Sequence, residues 1–152
     1  MIIFATDDGR DSLRNNKSFF VDGTFKSCPG QFTQLYTIHV DLGSNDQEVN
    51  IVVAAFALLQ RKDTATYERL FSVLKEKCQF NPDSVIIDFE AAAIIALKNV
   101  FNDVDINGCH FHFAQCLWRN VQKIGLTTDY REDENVRMCV VHLTSTFKSR
   151  GR

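Results

Sequence analysis

Proline is almost missing from this chain: two occur in 152 residues, and no Pro-, Gly- or Ser-rich stretch, repeat or low-complexity run divides it. The sequence therefore reads as one unit rather than as domains on a linker. Long apolar runs are missing too. The longest, Ile51 to Leu59, falls far short of the roughly 20 residues a bilayer-spanning helix needs. The amino terminus, Met-Ile-Ile-Phe-Ala-Thr-Asp-Asp, has no basic region and meets an Asp pair too soon for a signal peptide, so the expectation is an intracellular protein. Five cysteines, an odd number without framework spacing, suggest reduced thiols in a reducing compartment. A surplus of positive charge is also lacking. The net charge is −2, with 10 Lys/Arg against 15 Asp/Glu in residues 1–108 and 7 against 4 in residues 109–152. An acidic body with a mildly basic tail does not advertise a nucleic-acid binder.

What is present is ordinary globular material. Hydrophobic residues at 45% and charged residues at 24% argue against disorder, collagen and coiled coil, and the length suits one domain with a real core. Phe19 to Phe25 (Phe-Phe-Val-Asp-Gly-Thr-Phe) is aromatic and β-branched with Asp22 and Thr24 on one face, which predicts a strand. Ser27-Cys28-Pro29-Gly30 supplies a turn, Phe32 to Val40 a second strand, Asp41 to Asp46 a loop, and Val49 to Leu59 a third strand. From Asp63 or Thr64, either a plausible N-cap, apolar residues at Tyr67, Leu70, Phe71, Leu74 and Cys78 fall at helical spacing until Asn81-Pro82-Asp83. Ser84 to Asp88 is a short buried strand, Glu90 to Phe101 an alanine-rich helix, Asp103 to Asn107 a strand and Phe111 to Ile124 a helix. The order β-β-β-α-β-α-β-α predicts an α/β fold with a mixed five-stranded sheet: three antiparallel strands, then helical crossovers. In such a sheet the first strand and the one after the first helix can lie side by side.

Two aspartates stand out on that topology. Asp22 sits inside an apolar strand, where a carboxylate is costly unless it faces solvent, is paired or binds metal. Asp88 closes Val-Ile-Ile-Asp just before a helix, as an N-cap or as a ligand. Together they match what two-metal phosphoryl chemistry needs, carboxylates from adjacent strands holding two Mg²⁺ ions about 4 Å apart. Cys109-His110-Phe111-His112, with Cys116 beyond, gives a Cys-x-x-His without a second ligand pair at conventional spacing, so structural zinc is not expected. Packing at a helix start is the alternative for this motif. His39 and His142 are lone histidines, read as incidental.

Five blocks then occur in a telling order: Phe-Phe-Val-Asp-Gly-Thr-Phe-Lys-Ser-Cys-Pro, Phe-Thr-Gln-Leu-Tyr-Thr-Ile-His, Ala-Leu-Leu-Gln-Arg-Lys-Asp-Thr-Ala-Thr-Tyr-Glu-Arg-Leu-Phe, Asp-Phe-Glu-Ala-Ala and Gly-Cys-His-Phe-His-Phe-Ala-Gln. Over residues 17–137 they resemble the MULE (Mutator-like element) transposase domain, especially transposon-derived proteins that carry FLYWCH-type zinc fingers. The resemblance implies an RNase H-like fold and a DDE transposase, in which two strand aspartates and a later glutamate hold divalent metal. By position Asp22 and Asp88 are the first two carboxylates, with Mg²⁺ or Mn²⁺ as cofactor. Cys109 and His112 match the family's Cys-x-x-His, associated with the active site and transposon-end DNA. The implied partner is DNA, with a homo-oligomer compatible and no membrane or small-molecule substrate; the implied compartment is the nucleus.

The resemblance has a gap. In the family the glutamate follows a helical insertion downstream of Cys-x-x-His, and here 40 residues follow His112. Glu132 and Glu134 are not assigned as that ligand, because their stretch resembles the start of the insertion. The expected organisation is a lead-in at 1–16, an RNase H-like core at 17–126 and the beginning of a truncated insertion at 127–152. The expected function is a transposase-derived DDE core for DNA strand cleavage and transfer, incomplete without its third acid. The alternative is a catalytically inactive remnant serving as a DNA-binding or protein-interaction module.

Overall fold

The first fifteen residues form structure of their own. In the computed structural model, which describes residues 1–24, 28–45 and 47–149, β1 (Ile2–Phe4) is followed by α1 (Asp7–Asn15). Thr6 caps that helix by accepting the Gly9 N–H at 3.0 Å. β1 pairs antiparallel with β4 (Ile51–Leu59), so the sheet has six strands among the described residues rather than the five expected. Three residues are too few to show a period in the sequence, yet Ile-Ile-Phe is apolar and β-branched enough to pair along the edge of β4.

The other strands are β2 (Ser18–Thr24), β3 (Gln34–Asp41), β5 (Ser84–Ile87) and β6 (Asp105–Gly108), in the spatial order β1-β4-β3-β2-β5-β6. β2, β3 and β4 form the antiparallel meander, and β5 returns parallel to β2. Phe25, Ser27 and Asp46, placed by the sequence in the first strand, the following turn and the loop, lie outside the described residues.

α2 (Thr64–Cys78) begins where Asp63 accepts the Thr66 N–H at 2.9 Å, and all five of its expected apolar positions are buried. It ends at Cys78, with Gln79 in the left-handed region (φ 55°), before Asn81-Pro82-Asp83 is reached. α3 (Ala91–Val100) packs on α2 through Ala93, Ala96 and Leu97. Beneath them the rings of Phe19, Phe80, Phe101 and Phe71 pass edge to face from one to the next, at centroid separations of 4.8, 5.5 and 6.4 Å. Tyr36 and Tyr67 continue the cluster toward the carboxyl ends of β2, β4 and β5.

Met1–Asn107 and Gly108–Arg152 are two compact units. The second consists of α4 (His110–Lys123), α5 (Thr127–Glu132) and α6 (Glu134–Ser149). It is held by Phe113 stacked on Phe147 at 4.2 Å, Trp118 edge-on to Tyr130, and His110 Nε2 at 3.1 Å from the Thr144 carbonyl.

Gly9 is where α1 meets β4. A Cβ there would overlap the Ala54 carbonyl oxygen, a backbone atom that cannot rotate away. Gly9→Ala is therefore expected to cost about 1–3 kcal/mol, seen as a lower urea midpoint at an unchanged slope. An unaltered midpoint would mean that α1 backs off the sheet freely.

Candidate functional site

Parallel pairing brings the two sequence-selected aspartates together. β2 and β5 are in register from Ser18 opposite Ser84 to Val21 opposite Ile87, and Asp22 and Asp88 occupy the next position on each chain. Val21 and Ile87 are buried beneath the helices. Alternation turns the following residues to the other face, where both aspartates are half-buried. Neighbouring strands lie about 4.8 Å apart, so the carboxylates leave the backbone side by side.

Each is braced by its surroundings. The Asp22 carbonyl accepts the Thr37 hydroxyl at 3.2 Å, and Asp88 Oδ1 accepts the Phe89 N–H at 2.6 Å. Thr37 Oγ1 also lies 2.8 Å from His39 Nε2. Burial holds His39 below the ordinary histidine range, against a smaller upward pull from the Asp22 charge. The N-cap of α3 is Glu90 rather than Asp88.

Behind the aspartates lies a polar cluster that sequence reasoning missed. Tyr67 is hydrogen-bonded to Glu90 and accepts from Gln34 Nε2, while Gln34 and Tyr36 are almost wholly buried. Burial pushes the Tyr36 hydroxyl well above its usual range, and Tyr67, Glu90, Asp22 and Asp88 add to it in that order. Three carboxylates thus act on one buried phenol. Tyr67 is raised as well, first by burial and then by its bond to Glu90. The sign follows: with folded values above the unfolded one, stability is intact below about pH 10 and is lost as pH rises beyond it. The signal available in the sequence was alternation, which put Gln34 and Tyr36 on one strand face; nothing local pointed to Tyr67 and Glu90 as their partners.

The cluster makes a contrast testable. Tyr36 Oη has no hydrogen-bond partner among the described residues, so Tyr36→Phe should be neutral or stabilising by up to about 1 kcal/mol, and should blunt the alkaline loss. Tyr67→Phe removes the acceptor of Gln34 and should cost about 1–3 kcal/mol. Urea unfolding at pH 7 and pH 10.5 reads both, and equal effects would mean the two hydroxyls are equivalent.

Could the aspartates hold a metal? Among the described residues no three His, Cys, Asp or Glu side chains group into a metal cage. Mg²⁺ does not require one, since it binds through one or two carboxylates and completes its shell with water and substrate phosphates. Two hard oxygen donors on adjacent strands fit that habit.

Cys109 and His112 belong to the second unit. Cys109 is the N-cap of α4 and makes no side-chain capping bond; His112, half-buried one turn on, has its ring 5.5 Å from Phe111. Glu132 closes α5, and Glu134 opens α6 with its carboxylate 3.8 Å from Arg137. No helix among the described residues is long and apolar enough to cross a membrane.

A comparison with curated proteins finds no match. A family model, that of the MULE transposase domain, matches residues 18–116, a span that runs from the start of β2 through Asp22, Asp88, Cys109 and His112 into α4. The match covers well over half of the chain, which therefore belongs to the MULE transposase domain family and is transposase-derived.

Proposed function

We propose that Met1–Asn107 carries an RNase H-like, DDE-type catalytic centre in which Asp22 and Asp88 hold Mg²⁺ or Mn²⁺ against a DNA phosphodiester. One observation carries the reading: the parallel register of β2 and β5 ends one residue before each aspartate, so both acids stand at the same level. Bound metal would activate the attacking oxygen and stabilise the leaving one during hydrolysis at the element's ends and strand transfer by a 3′-hydroxyl. The chain's own part is placement. Thr37 pins the Asp22 backbone, the Phe89 N–H orients the Asp88 carboxylate, and the Gln34–Tyr67–Glu90 bonds stiffen the ground behind them. Cys109 and His112, in the first turn of α4, are proposed to serve the transposon-end DNA, and the nucleus is the compartment this activity calls for.

A second reading, an inactive remnant that binds DNA or protein, draws support from Glu90. This third acid near the pair is hydrogen-bonded to the buried Tyr67 and so is committed to the core. Nicking of supercoiled plasmid in Mg²⁺ or Mn²⁺ separates the two. The enzyme predicts nicking that Asp22→Ala or Asp88→Ala abolishes, whereas nicking that survives both substitutions removes it. The remnant predicts no metal-dependent cleavage and a DNA affinity that falls steeply with salt.

A further inference from the structure

Strand direction puts a second feature on the sheet edge that carries the aspartates. β4 is antiparallel to β3 and β3 to β2, so β4 points the same way as β2 and β5. The chain leaving β4 at Leu59 is Gln60-Arg61-Lys62, which leads into α2. Thr66 and Arg69 are three residues apart on α2 and share one of its faces. Gln60, Arg61, Thr66 and Arg69, with Met1, line a single cleft of ≈ 130 Å³. At about 30 Å³ per water that is room for about four waters, enough for one phosphate group and too little for a nucleobase.

The cleft has the donors an anion needs: two guanidinium forks, an amide and a hydroxyl. Its one ion pair is weak. Arg61 Nη1 lies 3.9 Å from Asp63 Oδ2, with the Arg61 side chain 79% exposed, and such pairs contribute little. Asp63 itself is occupied by the Thr66 N–H and hydroxyl. Positive charge is scarce in this acidic unit, and here two arginines converge on one small space.

We propose that this cleft is a phosphodiester subsite, in which Arg61 and Arg69 clasp a backbone phosphate of a DNA strand crossing the carboxyl edge of the sheet. The inference rests on DNA being the substrate at Asp22 and Asp88. The register gives the spacing: Asp22 lies level with Thr37 and Phe56, and Leu59 lies two strands over and three residues further on. With strands about 4.8 Å apart and a rise of about 3.4 Å per residue, the end of β4 is about 14 Å from Asp22. That equals about four base-pair steps of B-DNA. The subsite therefore holds the strand some nucleotides away from the bond to be cut.

The test uses the full chain in metal-free buffer, so that cleavage plays no part. Fluorescence anisotropy measures binding of a fluorescein-labelled 20-base-pair duplex and a 12-nucleotide single strand across a salt series. Arg61→Ala/Arg69→Ala should weaken duplex binding at least tenfold at low salt and make the log–log salt slope shallower by about 1.8, at about 0.9 per lost phosphate contact. Lys77→Ala/Lys98→Ala removes the same net charge from the last turns of α2 and α3 and should leave the slope unchanged. Circular dichroism confirms that both variants fold. Absent binding by the parent chain, an unaltered slope in the arginine variant, or an equal change in the lysine variant each overturns the subsite. Nicking that survives loss of both aspartates would instead overturn the catalytic reading and leave the slope result standing.

Discussion

Asp22→Asn and Asp88→Asn are each expected to depress metal-dependent DNA nicking by at least about a thousandfold while leaving the protein folded. The activity loss follows from chemistry. An amide keeps the shape of the carboxylate and one oxygen acceptor but gives up the charge that holds a divalent cation. Several kcal/mol of transition-state stabilisation then disappear, and about 4 kcal/mol is a factor of about a thousand. The insensitivity of stability follows from where the acids stand. Both turn away from the face that buries Val21 and Ile87, and Asn at position 88 can still accept the Phe89 N–H that Asp88 accepts now. A plasmid-nicking assay paired with a urea titration reads the two quantities separately. A variant that loses activity only because it unfolds would overturn the assignment, as would one that keeps a tenth or more of the parent rate.

Phe71→Ala should do the reverse, removing about 3–5 kcal/mol of stability through an interior without contact with the carboxylates. Phe71 is fully buried and touches the rings of Tyr36, Tyr67 and Phe101. Its loss opens a cavity where both aromatic strings meet, and the flanking residues sit on α2 and β3 (Leu70, Leu74, Ile38), too firmly packed to collapse into it. With total stabilities of about 5–15 kcal/mol, the variant should unfold at a much lower urea concentration. Phe71→Leu should recover most of the loss. A midpoint for Phe71→Ala within about 1 kcal/mol of the parent would show that α2 is held mainly by its caps.

The sequence made some of this legible, for reasons tied to particular residues. α2 declared itself because Asp63 offers a cap and Tyr67, Leu70, Phe71, Leu74 and Cys78 repeat at the helical period, and all of them proved buried. The parallel neighbour of β2 could be reasoned out because a helix separates β5 from the meander, and crossover connections return a strand in the same direction. Ile2–Phe4 and the helix after it escaped notice, since three apolar residues carry no period and α1 buries only Gly9 and Leu13. Polar partners were harder still. Gln34 and Tyr67 are 33 residues apart, and Arg61 and Arg69 converge only because a strand ends where a helix begins. A single sequence reports which face a residue takes far better than which side chain it meets.

The level pairing of β2 with β5 makes the chain unequally tolerant of changes in its length. Adding residues to the connection between β3 and β4 lengthens an existing loop, which costs only a slowly growing closure entropy. Deleting one residue within Ser84–Ile87 is another matter: pleat parity would swing Asp88 under the helices and lift Ile87 into water. Copies of this domain that drift in size should therefore vary freely at the hairpin tips, while the spacer between Pro82 and Asp88 keeps its count of residues for as long as the acids are used.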